Sequence, residues 1–122
     1  MMRTGDMTAD RFKRLFAMPF DEVGWLLATS SQLHLRIGND PPVLGREAGL
    51  LAMKYLADRV IDSGVRFCAC WKRREAIFAE TEVLFKDARH ASRMIPCAMI
   101  ARTDGTAVLD LRLYLDLSPM RQ

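Results

Sequence analysis

The sequence predicts an α+β fold, with three N-terminal helices packed on one face of a curved, mainly antiparallel sheet. Three observations predict it. Apolar residues recur at three- and four-residue intervals in the first half, they alternate with polar ones in four consecutive segments of the second half, and short polar turns join those segments. The 122 residues are 50% hydrophobic and 27% charged, enough to build one core without disulfide or metal support. We therefore expect a single domain over residues 1–122.

Thr8 is placed to cap a first helix with Phe12, Leu15 and Phe16 at helical spacing, stopped at Met18 by Pro19. Asp21 opens a second helix carrying Val23, Leu26 and Leu27, which ends at the Thr29-Ser30-Ser31 break. From Gln32 to Ile37 the pattern alternates, with Leu33, Leu35 and Ile37 on one face and Gln32, His34 and Arg36 on the other, as in a half-buried strand. Gly38 to Pro42 end it. The segment Arg46 to Asp62 carries a broad apolar face from Leu50 to Ile61 and predicts the long third helix, closed by Ser63 and Gly64. Val65–Lys72, Ile77–Lys86, Arg93–Arg102 and Ala107–Leu117 read as four consecutive strands. Asp104-Gly105 is the strongest hairpin signal among them, and Asp87 to His90 a looser turn.

Charge and cysteine content exclude several function classes. Eighteen basic and fifteen acidic residues leave a net charge of +3, with the two signs interspersed, so no nucleic-acid partner is expected. The tightest basic run, Lys72-Arg73-Arg74, is followed at once by Glu75 and reads as a solvated strand end. Cys68, Cys70 and Cys97 lack zinc-ligand spacing and read as reduced thiols, with no metal and no cofactor expected. No apolar run reaches the roughly 18 residues of a membrane span, and Met1 to Arg14 lacks a signal-peptide core, so the expected location is cytoplasmic.

Several local strings, in this order of elements, resemble the SnoaL-like branch of the nuclear transport factor 2-like superfamily, a cone-shaped, cystatin-like α+β fold. They are Gly45-Arg46-Glu47-Ala48 opening the long helix, Phe78-Ala79-Glu80-Thr81-Glu82-Val83, and Asp104-Gly105 leading into Arg112-Leu113-Tyr114-Leu115-Asp116. The resemblance spans about Thr8 to Met120. It implies a container whose chemistry is set by a few side chains projecting into the cone, in a superfamily of isomerases, cyclases, epoxide hydrolases, dehydratases and non-enzymatic members.

Each of those activities needs its own constellation. An isomerase needs a carboxylate base with a phenol and a protonated acid as oxyanion donors. By the resemblance Asp40, before Pro41 and Pro42, takes the position of the base. The first helix, however, offers Phe12 and Phe16 where a tyrosine is needed, and Ile95, Cys97 and Met99 occupy the strand where the acid would lie. The epoxide-hydrolase frame needs an acid immediately before the tyrosine, where this chain has Leu113. A dehydratase needs paired histidines and tyrosines, but His34 alternates with leucines and His90 lies in an arginine-rich turn.

Strand alternation puts Leu109, Leu111, Leu113, Leu115 and Leu117 on one face and Asp110, Arg112, Tyr114 and Asp116 on the other. The leucine face packs against the helices and walls any pocket. The polar face then lies outside, where a homodimer would form with Arg112 near Glu80 or Glu82. The functional expectation is an apolar small-molecule pocket lined by Phe12, Phe16, Trp25, Met53, Leu113 and Leu115, with Asp40 as catalytic base acting by proton transfer on a cyclic or polyketide-like substrate. The alternative is a non-catalytic ligand-binding or dimerisation module whose pocket is filled by its own leucines and methionines.

Overall fold

The computed structural model describes residues 5–121, with the side chains of residues 61–63 and 121 outside the description. The start of the Met1 to Arg14 segment and the Ile61 side chain, read above as part of a helix face, therefore lie outside the described residues. Helix α1 (Ala9–Arg14) begins where Thr8 accepts the Arg11 backbone N–H at 3.0 Å. It ends four residues before Met18, tightening into the three-residue bonds Leu15 N–H to Phe12 and Phe16 N–H to Lys13. Helix α2 (Glu22–Ala28) is capped by Asp21, which accepts the Gly24 N–H at 2.9 Å. Its buried side is Trp25 and Ala28, whereas Val23 and Leu27 are 66% and 73% exposed. The expected apolar stripe of this helix is thus displaced, because one tryptophan does the anchoring.

Strand β1 (Thr29–Ile37) follows without a loop, three residues earlier than expected, since the Thr29 hydroxyl donates to the Trp25 carbonyl at 2.7 Å and its backbone joins the sheet beside Val108. Strand β2 (Val43–Leu44) pairs antiparallel with β1 and has no counterpart in the sequence reading. Helix α3 (Arg46–Ala57) starts at Gly45, whose φ of 97° suits a glycine, and is joined to α2 by the 2.6 Å Lys54–Glu22 ion pair. It ends five residues short of Asp62. From Val60 the backbone is already strand β3 (Val60–Arg73), with Val60 paired to Phe85. Gly64, expected to close the helix, instead sits in β3 at φ 73° where the register shifts between Val60 and Val65.

Strands β4 (Ala76–Lys86), β5 (Ser92–Thr103) and β6 (Val108–Tyr114) complete the sheet, and a 3-10 turn (Ser118–Arg121) follows. The strand order is β2-β1-β6-β5-β4-β3, antiparallel throughout except for the parallel β1–β6 pair. The inner face packs Leu33, Leu35, Ile77, Phe85, Met99 and Leu111 against Phe12, Trp25 and Met53.

The leucine face of β6 is corrected at both ends. Arg102 faces Asp110 but Thr103 faces Val108, so Leu109 is the extra residue of a bulge and is exposed, while Val108 takes the buried position. The strand stops at Tyr114 because Asp116 accepts the Ser118 N–H at 2.9 Å and turns the chain. The expected Arg112 partners also differ. Arg112 bonds Asp110 at 3.2 Å, and Glu82 pairs with Arg66 across β3 and β4. Among the described residues, no helix is long and apolar enough to cross a membrane.

Candidate functional site

Asp40 sits at the end of the turn that leaves β1, its N–H donating to the Ile37 carbonyl at 3.1 Å. Gly38 makes that turn possible. Its φ is 57°, and a Cβ there would come within 3.0 Å of the Leu115 carbonyl oxygen and 3.2 Å of the Leu117 side chain. Gly38→Ala is therefore expected to lower stability by about 1–2 kcal/mol, the left-handed penalty alone. Urea unfolding would show this as an earlier midpoint; an unchanged midpoint would mean that the turn relaxes freely.

Beyond the turn, Asp40 lies on the wall of a cavity of about 190 Å³ between the end of β1, β2 and the second half of α3. Its lining is mostly apolar: Ile37, Pro41, Val43, Ala52, Leu56, Leu117 and Met120. Three of the lining residues carry chemistry: Asp40, Tyr55, which is 71% exposed, and Arg59. Ala52, Tyr55, Leu56 and Arg59 share one side of α3 and its C-terminal turn at three- and four-residue spacing. The C-terminal turn closes the far wall, held by an Arg59 guanidinium bond to the Met120 carbonyl, with Met120 buried. One acceptor that can take a proton and two donors that can meet a developing oxyanion thus border a single apolar space.

The six side chains expected to line the pocket lie elsewhere. Phe12 and Trp25 are fully buried in the core. Phe16, Met53 and Leu113 surround a gap of only about 20 Å³, room for about one water molecule. Leu115 is half-buried beside a shallow depression on the sheet with Tyr114, Glu80 and Glu82. None of the six borders the Asp40 cavity. Sequence reasoning missed Tyr55 and Arg59. Their four-residue spacing was a usable signal, but only the return of the C-terminal segment makes a cavity of that stripe. Among the described residues, no cluster of histidine, cysteine, aspartate or glutamate could hold a metal ion.

No protein-family model matches the chain, and no curated protein matches it. Solved structures do. A protein assigned as a SnoaL-like polyketide cyclase from Jannaschia aligns with a TM-score of 0.75 at 13% identity, over 88% of this chain and 84% of that one. A nuclear transport factor 2-like protein of unknown function from Cytophaga hutchinsonii aligns with a TM-score of 0.70 at 11% identity, over 90% of this chain and 100% of that one. The chain has the nuclear transport factor 2-like fold. A third structure with this fold is a protein with a ketosteroid isomerase-like fold from Catenulispora acidiphila, in complex with trimethylamine. It aligns with a TM-score of 0.77 at 11% identity, over 98% of this chain and 91% of that one. Identities this low show the fold alone, so the site must be read from this chain's own residues.

Proposed function

We propose that this chain binds a small, largely apolar cyclic molecule in the Asp40 cavity and acts on it by proton transfer, with Asp40 as the base. The observation that supports it is the placement of Asp40, Tyr55 and Arg59 around one apolar space. Asp40 would take a proton from carbon beside a carbonyl, and Tyr55 and Arg59 would donate hydrogen bonds to the enolate oxygen that forms. Size sets the substrate class. An apolar cavity of roughly 150 Å³ accepts benzene, and drug-sized ligands need about 300–1,000 Å³, so about 190 Å³ fits one ring and not a fused polycycle. A small ligand is also what the Catenulispora neighbour carries, as trimethylamine.

Solvent hydrogen exchange of monocyclic ketones, followed by NMR, tests this reading. Asp40→Asn is expected to slow exchange by about 10²–10⁴-fold, the usual worth of a general base, while leaving ligand-induced thermal stabilisation in place. An unchanged rate removes Asp40 as base. The nearly closed interior around Phe16, Met53 and Leu113 favours a second reading, a binding module without turnover. Thermal stabilisation by the ketone with no exchange above buffer would select it.

We further propose that two copies associate through the outer sheet face near Ala98 and Tyr114, and that the protein is cytoplasmic. The half-exposed Tyr114 beside Pro96 and Ala98 supports the first proposal, and the free thiols of Cys68, Cys70 and Cys97 support the second. Light scattering should give twice the 13.9 kDa chain mass; the single-chain mass at micromolar concentration overturns the association.

A further inference from the structure

The hairpin end of the outer sheet face has a composition unlike the rest of the surface. Strand register places Arg73, Ala76, Arg102 and Asp110 in one row across β3, β4, β5 and β6. The next row on the same face is Trp71, Phe78, Ile100 and Arg112. Trp71 and Phe78 are stacked, with ring centroids 5.7 Å apart and planes 20° apart, yet Trp71 remains 47% exposed. Arg73, Arg74, Glu75, Ala76, Phe78, Arg102 and Leu109 border a shallow depression of about 560 Å³. Among the described residues none of its three arginines forms an ion pair. Asp110, the acid at the end of the row, is already engaged by Arg112 at 3.2 Å and lies 3.5 Å from His34.

We propose that this depression is a binding site for a flat aromatic anion. The ring would lie on the Trp71–Phe78 pair, and its phosphate or carboxylate would meet Arg73 and Arg102. The spacing fits such a molecule. Adjacent rows are two residues apart along each strand, about 6.8 Å at the backbone, an interval that a long arginine side chain can span to meet an anionic group held beside the rings. Arg73 and Arg102 stand on either side of Ala76, two strand spacings or about 10 Å apart, and the small alanine leaves the floor between them open. Guanidinium groups make paired hydrogen bonds to both kinds of oxyanion, and a tryptophan face is the best aromatic platform. Three arginines against Glu75 keep the site electropositive. The Ala98–Tyr114 row, proposed for the contact between copies, lies only two residues along β5 and β6 from the Ile100–Arg112 row, about 6.8 Å away, so the two surfaces adjoin.

The experiment uses 1-naphthyl phosphate, 1-naphthoate, inorganic phosphate and uncharged 1-naphthylmethanol as probes, followed by calorimetry and tryptophan fluorescence. We expect one or both aryl anions to quench Trp71 and to bind at least about tenfold tighter than phosphate or naphthylmethanol. Comparing the phosphate with the carboxylate decides which anion the site prefers. Arg102→Ala and Arg73→Ala should each weaken binding about tenfold, and Trp71→Phe should abolish the quench while leaving the fold intact by circular dichroism. Equal binding of the uncharged probe, or no effect of either arginine variant, overturns the proposal. An affinity for oligo-dT that rises with length makes the patch a single-strand nucleic-acid surface and also overturns it. So does loss of the dimer mass in Arg102→Ala without aryl-anion binding by the parent, which would make this end part of the contact between copies.

Discussion

Trp25→Ala is expected to lower the free energy of unfolding by about 3–5 kcal/mol, the range for removing a fully buried large aromatic side chain. Trp25 has no exposed surface, packs 6.1 Å from the Phe20 ring centroid, and approaches the backbone of α3 closely enough that a Cβ at Gly49 would sit 3.8 Å from its ring. It is also the residue through which the seven-residue α2 is held to the core. A slope of about 1–3 kcal/mol per molar urea turns this loss into a midpoint shift of about 2 M. Val23→Ala and Leu27→Ala on the exposed side of the same helix should shift stability by less than about 0.5 kcal/mol. Trp25→Phe should cost well under half of the alanine change, since the indole N–H has no acceptor among the described residues. If Trp25 were a pocket wall, as its sequence position allowed, its truncation would enlarge a cavity already present and cost little. A midpoint shift below about 0.5 M would restore that reading.

What could be read in advance depended on whether a residue's role was local. Thr8 and Asp21 cap their helices as their side-chain chemistry requires, and Leu33, Leu35 and Ile37 alternate into the core as drawn. The end of α3 was not legible, because Val60 and Ile61 satisfy a helical period and a strand period equally, and pairing of Val60 with Phe85 decides the matter. Leu109 was misplaced for a related reason. Alternation is a rule for unbroken strands, and the bulge opposite Arg102 and Thr103 shifts the phase by one residue. The two-residue β2 sits beside two prolines and carries no pattern to detect.

The candidate site divides along the same line. Asp40 was found from its own turn residues. Tyr55 and Arg59 become its neighbours only because the chain reverses after Asp116 and lays Leu117 and Met120 against α3, a contact between residues about sixty positions apart. The expected pocket residues were chosen for size and apolarity, properties that a core shares with a cavity wall. Packing separated them: in the interior Phe16, Met53 and Leu113 leave a gap of only about 20 Å³, and the larger open volume lies instead beyond the end of β1.

Stability should fall at alkaline pH in a way that Cys97 controls. Cys97 lies on the inner face of β5, buried beside Thr81, whose hydroxyl donates to the Cys97 carbonyl at 2.7 Å. Burial penalises the thiolate and pushes the thiol from its ordinary value of 9.0 up to about 11, with the nearby Thr81 hydroxyl, acting on the thiol itself, working in the opposite sense. In the unfolded chain the thiol ionises first. Below about pH 9 both states are protonated and the stabilisation is complete; between about 9 and 11 the unfolded state loses its proton while the folded state keeps it, and the stabilisation is lost. Two units correspond to about 3 kcal/mol. Other groups titrate in this range, so the comparison is with Cys97→Ala under reducing conditions, which retains Cys70, itself shifted upward by burial. The parent should lose about 2 kcal/mol more than the variant between pH 8.5 and 11, measured by urea unfolding. The same burial orders the thiols kinetically: iodoacetamide should label exposed Cys68 first and Cys97 last, at a rate limited by opening of the sheet. Parallel pH curves for parent and variant, or prompt labelling of Cys97, would show that β5 opens readily and that the face it presents to the core is not sealed from water.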